Sequence, residues 1–146
     1  MGSSTVLMAA GESELPESVA GIICDCGYTS PRDIIRTVIR SYRLPVSVCY
    51  PMVRLAGRVL GRFDVEECSA LEAGRRASVP ALFIHGEADD FVPCRMGRDN
   101  YAAYAGPKKL VTVPGAGHGL SYVVDTEKCQ KALNEFLDRA LVKECS

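Results

Sequence analysis

Residues 80–93 read PALFIHGEADDFVP and join a predicted buried strand to a polar loop. The apolar run at 81–84 stands between a proline and Gly86, and such short runs are typical of strands buried on both faces of a parallel sheet. The loop that follows carries two acidic residues, Asp89 and Asp90. Because the sites of open α/β sheets lie beyond the carboxyl ends of their strands, these carboxylates stand where a functional group is expected.

Two other segments predict strands of the same sheet. Residues 19–26, VAGIICDC, form a short apolar run rich in β-branched residues, and residues 108–119, KKLVTVPGAGHG, form another that ends in a glycine-rich turn. Helical patterns separate the runs, and this alternation is typical of parallel strands joined by right-handed helical crossovers. The sequence therefore predicts an α/β fold with three parallel strands and flanking helices, in which both faces of 19–26 are buried.

Helix signals follow the first predicted strand. Ser30 is expected to cap a helix that begins with Pro31, and Asp33 in its first turn interacts favourably with the helix dipole. Isoleucines and valines then recur at helical spacing as far as residue 39. The sequence therefore predicts a helix directly beyond this strand.

The stretch between residues 44 and 63 predicts a helical excursion. Two prolines in LPVSVCYP, residues 44–51, are expected to interrupt the helical pattern, which resumes over residues 52–63. Arg54, Arg58 and Arg62 recur every four residues and therefore share one helix face. We expect these arginines to form a solvated face, in preference to an anion site.

Three further helices are predicted. Residues 5–10, closed by Gly11, predict a short helix near the start, and another is expected from about 93 to 104. Residues 126–142 predict an amphipathic helix that packs on the sheet. Its apolar face contains Cys129, Ala132, Leu133, Phe136, Leu137, Ala140 and Leu141.

Composition restricts the classes of function. The chain has 146 residues, a net charge of -1 and no basic stripe, so we expect it to bind neither nucleic acid nor a membrane surface. The sequence shows no bilayer-spanning apolar run and no signal-peptide pattern, which favours a cytoplasmic protein. Seven cysteines lack the CxxC spacing of metal sites, so we expect reduced structural thiols, no metal and no cofactor.

A carboxylate and a histidine follow two of the predicted strands. Asp89 follows the strand within 80–93, and His118 lies in the turn VPGAGHG, residues 113–119. Three glycines in this turn allow the backbone to place an imidazole over the sheet edge. A carboxylate on one loop can orient a histidine on a later loop as a general base. We therefore interpret Asp89 and His118 as candidate catalytic residues.

The stretches IHGEADDFVP and VPGAGHG resemble the acid and histidine motifs of the α/β-hydrolase superfamily, in that family's chain order. Together with DCGYTSP, residues 25–31, they resemble cytoplasmic bacterial hydrolases of the serine aminopeptidase-like and esterase-like groups. The resemblance covers nearly the whole chain. It implies one partial α/β-hydrolase domain over residues 1–146, with a helical cap-like insertion at about 31–75.

The resemblance also implies where a nucleophile belongs. In this superfamily the nucleophilic serine lies in a G-x-S-x-G turn that precedes a helix. Laid on that pattern, Met1 and Gly2 match the last two residues of the turn, and the serine is expected immediately before Met1. The backbone N–H of Met1 would then contribute to the oxyanion hole. Ser3 and Ser4 are not expected to replace the nucleophile, because they fall inside the first helical turn.

The implied function is that of a serine hydrolase. A Ser-Asp-His triad would hydrolyse an ester, a peptide or an amide, and the chain alone is expected to be inactive without the serine. Phe91, Tyr122 and the helices around Tyr50 to Phe63 are candidates for the lining of an acyl or leaving-group pocket, with core packing as an equal alternative. The alternative function is a non-catalytic remnant or interaction subunit. An unpaired strand edge at 20–25 would then pair with a second copy or with a missing N-terminal half.

Other titratable residues have alternative interpretations. Asp25, at the end of the first strand, could serve as the triad acid, but a carboxylate that fixes its own turn is favoured. Asp90 is expected to face solvent or to cap the following helix, and His85 to be a hydrogen-bonded core histidine. Cys26 paired with His118 would define a thiol hydrolase, which is the less favoured interpretation.

Overall fold

The computed structural model describes residues 1–12 and 15–141 of this chain. In chain order its elements are α1 (Gly2–Glu12), β1 (Ile22–Asp25), α2 (Pro31–Ser41), α3 (Val46–Ala56), a π-helical turn (Gly57–Gly61), α4 (Ala70–Gly74), β2 (Ala81–Gly86), α5 (Cys94–Ala103), β3 (Lys108–Val113), α6 (Ser121–Val124) and α7 (Thr126–Leu141). The predicted α/β fold is confirmed, since three parallel strands alternate with helices.

The strands are ordered β1-β2-β3, and both neighbouring pairs are parallel. At the start of the central strand β2, Ala81 stands between Ile22 of β1 and Lys108 of β3. All six residues of β2 are buried, as its continuous apolar run predicts. Because the carboxyl ends of parallel strands meet at one edge, the loops that follow the three strands lie together there.

Two apolar cores cover the two faces of the sheet. On one face, α1, α4 and α5 enclose a core that includes Leu7 and Phe83. On the other face, Cys129, Ala132 and Phe136 of α7 pack against residues of β2 and β3. Burying a large apolar side chain contributes roughly 1.5–3 kcal/mol, so these two cores are the main stabilising contribution to the fold.

Among the side chains that the structure describes, which do not include that of Leu141, the C-terminal helix follows its predicted apolar face with one exception. The residues that α7 buries lie on that face, and Leu133 is partly buried beside them. Leu137 is 44% exposed, because it lies at the margin of the buried stripe. Residue 142 of the predicted helix lies outside the described residues.

The prediction that β1 is buried on both faces is wrong. Ile22 and Cys24 are buried beneath the helices of one face, whereas Ile23 is 41% exposed and Asp25 is exposed on the other. The helix α7 covers β2 and β3, and no element of the described residues covers Ile23. The apolar composition of this strand predicts burial, but it does not show which neighbour supplies the cover.

The helix α2 begins as the sequence predicts, whereas α3 does not. Ser30 caps α2 by accepting a hydrogen bond from the Asp33 backbone N–H at 3.1 Å, with Pro31 in the first turn. The expected interruption at 44–51 is shorter than predicted, because α2 ends at Ser41 and Pro45 precedes α3, but Pro51 lies inside α3. Its ring is exposed, so the carbonyl group that loses a helical partner can be hydrated.

The three arginines do not form a uniformly solvated face, because Arg62 is exposed without an ion pair to any described residue, whereas Arg54 and Arg58 bind a carboxylate. Arg54 donates hydrogen bonds from Nε and Nη2 to Asp64 at 2.9 and 2.8 Å, and Arg58 donates from Nε to the same carboxylate at 2.8 Å. Hydrogen bonds from these guanidinium groups hold the pKa of Asp64 well below its usual range. The arginines therefore fasten the π-helical turn to the chain that follows it.

The segment predicted as a cap-like insertion, residues 31–75, contains α2, α3, the π-helical turn and α4. Ile39, Tyr50 and Val65 form a small core of their own within it. None of the helices in the described residues is both long and apolar enough to cross a bilayer. All six cysteines in the described part are free thiols, as expected, and Cys145 lies outside it.

The helices α1 and α4 approach each other at Gly11. A Cβ atom built on Gly11 would lie 2.0 Å from the carbonyl oxygen of Ala73. Ala73 is completely buried, so the backbone there has little room to retreat. The closing glycine of α1 therefore sets the distance between the two helices.

We expect Gly11→Ala to destabilise the fold by about 1–3 kcal/mol, because it forces two packed backbones apart. The matched control is Gly2→Ala in the same helix, where an added Cβ meets no atom within 4 Å. Chemical denaturation followed by circular dichroism measures both variants. Equal free energies of unfolding for the two variants would contradict this packing argument.

Candidate active site

The loop after β2 holds Asp89 in a fixed orientation. Its Oδ1 atom accepts hydrogen bonds from the backbone N–H groups of Val92 at 2.8 Å and Phe91 at 3.0 Å. Its side chain is completely buried. A short polar side chain that accepts from the backbone two or three residues ahead stabilises a turn. The turn DDFV, residues 89–92, therefore holds the side chain of Asp89 in place.

His118 reaches this carboxylate from the loop after β3. Gly115 and Gly119 have left-handed φ angles of 72° and 68°, which glycine adopts without steric cost. The Nδ1 atom of His118 lies 2.8 Å from Oδ2 of Asp89, and its side chain is 38% exposed. The structure thus brings together the two residues that the sequence predicts as catalytic, although 29 positions separate them.

The contacts of Asp89 determine which nitrogen of His118 carries the proton when the imidazole is neutral. Burial opposes ionisation of Asp89, but hydrogen bonds from His118, Val92 and Phe91 outweigh it and hold the pKa of this carboxyl below its usual value. A carboxylate only accepts hydrogen bonds, so the neutral imidazole carries its proton on Nδ1. The Nε2 atom of His118 is then a basic acceptor, and no group in the described residues donates to it.

His85 lies behind the acid. It is almost completely buried, and its Nε2 is 2.8 Å from the carbonyl oxygen of Val92 and 3.4 Å from Oδ2 of Asp89. On its other side, a Cβ added to Gly97 would lie 2.2 Å from Nδ1. His85 is the hydrogen-bonded core histidine expected from the sequence. Its contact with Asp89 was not predicted.

Cys26 completes the inner wall of the site. It has a left-handed φ of 50°, and its sulfur accepts a hydrogen bond from the Gly119 N–H at 3.4 Å. Its sulfur and one ligand atom each of Asp89 and His118 lie within 4.8 Å of one another. Burial raises the pKa of Cys26 to about 12, so its thiol stays protonated at neutral pH.

A protonated thiol does not fit the two alternative roles of Cys26. The thiolate is both the nucleophile of thiol hydrolases and the form that binds metals. The Asp89 carboxylate already accepts three hydrogen bonds, which leaves it poorly placed to bind an ion. These features argue against a thiol hydrolase and against a pre-formed metal site.

The other acidic candidates lie apart from His118. Asp25 and Asp90 are both exposed, and neither forms a hydrogen bond with His118 in the described structure. Asp90 does not cap α5, whose first turn has no side-chain cap. Asp90 therefore faces solvent, which is one of the two expected outcomes.

The start of α1 lies against the loop that follows β1. The hydroxyl of Ser4 is buried between α1 and this loop, where it donates to the carbonyl oxygen of Tyr28 and accepts from its N–H, both at 3.0 Å. The thiol of Cys24 points to the carbonyl oxygen of Ser3 at 3.9 Å. Met1 is therefore at the same end of the sheet as Cys26.

An aromatic side chain borders the imidazole. The ring of Phe91 meets the ring of His118 edge to face, with 5.2 Å between their centroids. Leu120, Tyr122 and Val123 follow His118 in the chain and are also exposed. Phe91 and Tyr122, candidate pocket residues from the sequence, are thus surface residues and not core residues.

A parallel sheet that presents a buried acid and an accessible histidine on successive loops has the architecture of an α/β hydrolase. The family of TAP-like proteins matches residues 63–144, which is more than half of this chain. The chain therefore belongs to this family of the α/β-hydrolase superfamily.

Known proteins extend the comparison. The uncharacterized protein YqkD of Bacillus subtilis strain 168 is 29% identical over 139 residues, which cover 94% of this chain and 45% of YqkD. The chain thus spans about half the length of this relative.

Two solved structures share the fold at TM-scores of 0.65. The esterase domain of a Rhodothermus marinus protein is 22% identical over 94% of this chain and 56% of its own. A puromycin-hydrolyzing peptidase of Mycobacterium tuberculosis is 20% identical over 92% of this chain and 20% of its own.

We expect Asp89→Asn to reverse the tautomer of His118. In the variant, the backbone N–H groups of residues 91 and 92 should donate to the amide oxygen of the asparagine. Its NH₂ group then faces the imidazole, so Nδ1 of His118 must accept a hydrogen bond and the proton moves to Nε2. Long-range ¹H–¹⁵N spectra measure the tautomer directly. The matched control is Asp90→Asn, which removes the neighbouring exposed carboxylate and should leave the Nδ1–H form. Retention of that form in Asp89→Asn would contradict the assignment.

Proposed function

We propose that Asp89 and His118 are the acid and the base of a serine-type hydrolase that acts on acyl esters or on peptides and amides. The observation that carries this proposal is the 2.8 Å contact between a buried carboxylate and Nδ1 of an imidazole whose side chain is 38% exposed. Asp89 fixes the ring and stabilises the imidazolium that forms during reaction. The family membership supports hydrolysis as the general chemistry.

In the proposed reaction, Nε2 of His118 removes the proton from the serine hydroxyl as its oxygen attacks the substrate carbonyl carbon. The tetrahedral intermediate collapses when the same proton passes from Nε2 to the leaving group, which leaves an acyl-enzyme. Water then attacks the ester of the acyl-enzyme while Nε2 of His118 accepts its proton. His118 returns this proton to the serine oxygen as the acid product leaves. Asp89 remains ionised throughout, which agrees with its lowered pKa.

We assign the nucleophile to a serine that would precede Met1 in a longer protein. No serine hydroxyl in the described residues donates to His118, and Ser4 is committed to Tyr28. The first N–H groups of a helix lack intrahelical partners, so the start of α1 suits an oxyanion hole to which the N–H of Met1 contributes. The greater length of YqkD is compatible with this assignment.

The rim of the site supports an apolar acyl group. Phe91 exposes apolar surface next to the imidazole, where the acyl or leaving group would lie, and Leu120, two residues after His118, is also exposed. The structural neighbours include both an esterase domain and a peptidase, so the two bond types stay alternatives of one acyl-transfer proposal.

We expect the 146-residue chain to hydrolyse p-nitrophenyl acetate no faster than its His118→Ala variant. Loss of the nucleophile from a serine triad costs roughly a million-fold in rate, so the remaining base has nothing to activate. Initial rates of p-nitrophenolate release test this.

A protein that also contains the residues encoded upstream of Met1 serves as the positive control for this experiment. If the extension restores the serine, we expect labelling by a fluorophosphonate and hydrolysis that His118→Ala abolishes. Clear dependence of the unextended chain on His118 would instead place the nucleophile within these 146 residues and overturn our assignment.

A second candidate function, as an interaction subunit, is favoured by the open edge of β1. Ile22 and Cys26 direct their N–H groups to β2. Because alternate residues of a strand point to opposite edges, Ile23 and Asp25 direct theirs outward, where no described strand pairs with them. We propose that this edge, within the predicted 20–25 segment, pairs with a second copy or with a separate N-terminal half.

For the isolated chain, we expect a dimer in sedimentation velocity at micromolar concentration. Ile23→Lys should yield a monomer, because a lysine on an edge strand opposes further pairing. Val123→Lys, at an exposed apolar position away from the edge, is the matched control and should remain dimeric. A monomeric wild-type chain would contradict self-pairing through β1.

A further inference from the structure

The imidazole of His85 lies between helix α5 and the turn that holds the acid. The residue is 1% exposed and belongs to the last turn-side part of β2, next to Gly86. One side of the ring faces the turn 89–92, and the other faces Gly97 of α5, where an added Cβ would lie 2.2 Å from Nδ1. A ring enclosed in this way cannot touch a substrate. Any part that it has in the proposed reaction must therefore act through another residue.

Hydrogen bonding fixes the tautomer of His85. Its Nε2 lies 2.8 Å from the carbonyl oxygen of Val92, and a carbonyl oxygen can only accept, so Nε2 carries the proton. Its Nδ1 is buried and has no hydrogen-bond partner in the described residues. A proton moved to Nδ1 would be a buried donor without an acceptor, and the Val92 carbonyl would lose the N–H of the ring. His85 and His118 therefore carry their protons on opposite nitrogens.

The Nε2–H group of His85 contacts both ends of the turn. Val92 accepts from it through the carbonyl oxygen and donates its own N–H to Oδ1 of Asp89, also at 2.8 Å. The same Nε2 lies 3.4 Å from Oδ2 of Asp89, which is the oxygen that His118 approaches at 2.8 Å. One imidazole thus holds the residue that binds Oδ1, and its positive edge borders Oδ2.

We propose that His85 is a positioning residue for the acid: its Nε2–H keeps the turn 89–92 closed, so that Oδ2 of Asp89 stays directed at Nδ1 of His118. The side chain of Asp89 is completely buried, so water cannot replace a donor that is lost. Asp89 needs a fixed orientation as the acid of the proposed hydrolase, and the role of His85 rests on that proposal. The orientation itself can be measured without a nucleophile or a substrate.

The wild-type chain provides the first test, which needs no substitution. The sequence contains only two histidines, so long-range ¹H–¹⁵N spectra resolve both rings. We expect the Nε2–H tautomer for His85 and the Nδ1–H tautomer for His118. The Nδ1–H tautomer at His85 would overturn the proposal, because the ring would then have no proton to donate to Val92.

Two variants separate hydrogen-bond donation from the filling of space. His85→Leu keeps roughly the volume of the ring and has no donor, whereas His85→Gln retains an N–H that can reach the Val92 carbonyl. We expect His85→Leu to lower the ratio of the Nδ1–H to the Nε2–H tautomer of His118 by about tenfold, because the released carboxylate no longer faces Nδ1. His85→Gln should keep the ratio near that of the wild type.

Asn100→Leu is the matched control. Asn100 is a buried residue of α5, and its Nδ2 donates to the carbonyl oxygen of Tyr28 at 3.1 Å. This variant also removes a buried donor, but from the loop after β1, which does not hold the acid. The tautomer ratio of His118 should therefore stay unchanged. Circular dichroism of each variant establishes that it is folded before the ratios are compared.

Two results from the variants would also overturn the proposal. The first is an unchanged tautomer ratio of His118 in His85→Leu. The second is an equal fall of the ratio in His85→Leu and His85→Gln, which would assign the effect to the shape of the ring. Neither result removes the contact between Asp89 and His118, so the hydrolase proposal would stand. Conversely, an upstream-extended protein that hydrolyses no ester or amide would refute the proposed function and leave the tautomers unaffected.

Discussion

Asp89 imposes the main constraint on this end of the molecule, because a carboxylate without solvent contact must be satisfied by the protein itself. Two backbone N–H groups occupy one oxygen and His118 occupies the other. The turn from β2 and the position of the loop after β3 both follow from that requirement. Breaking either set of contacts would leave one oxygen of a buried charge without its hydrogen-bond donor, at a cost of several kcal/mol.

The two loops that meet at this acid are also packed backbone to backbone. A Cβ on Gly86 would lie 2.3 Å from the carbonyl oxygen of Ala116, and the Ala88 N–H donates to that same oxygen at 3.0 Å. The histidine loop is thus fastened directly to the strand that carries the acid. This contact explains how an exposed loop can hold an imidazole at a fixed distance from a buried group.

Local sequence patterns predict where β2 and β3 end and that Asp89 and His118 follow them. They can do so because turns and apolar runs depend on residues that are consecutive in the chain. The Arg54–Asp64 pair was missed because it forms only after the π-helical turn brings residues ten apart together. The exposure of Ile23 was missed because composition identifies a strand without identifying what covers it. The contact between His85 and Asp89 was likewise hidden, since the curvature of the loop decides which of its groups approach one another.

Gly97 and His85 have a further consequence for how sequences of this kind can diverge. The imidazole fills the space that a side chain at position 97 would need. Any larger residue there would drive the ring towards the acid, so the position can accept a side chain only if the histidine is replaced by something smaller in the same lineage. Positions 85 and 97 should therefore vary together among related sequences. A larger residue at 97 should occur only with a smaller residue at 85, because the two side chains compete for the same space.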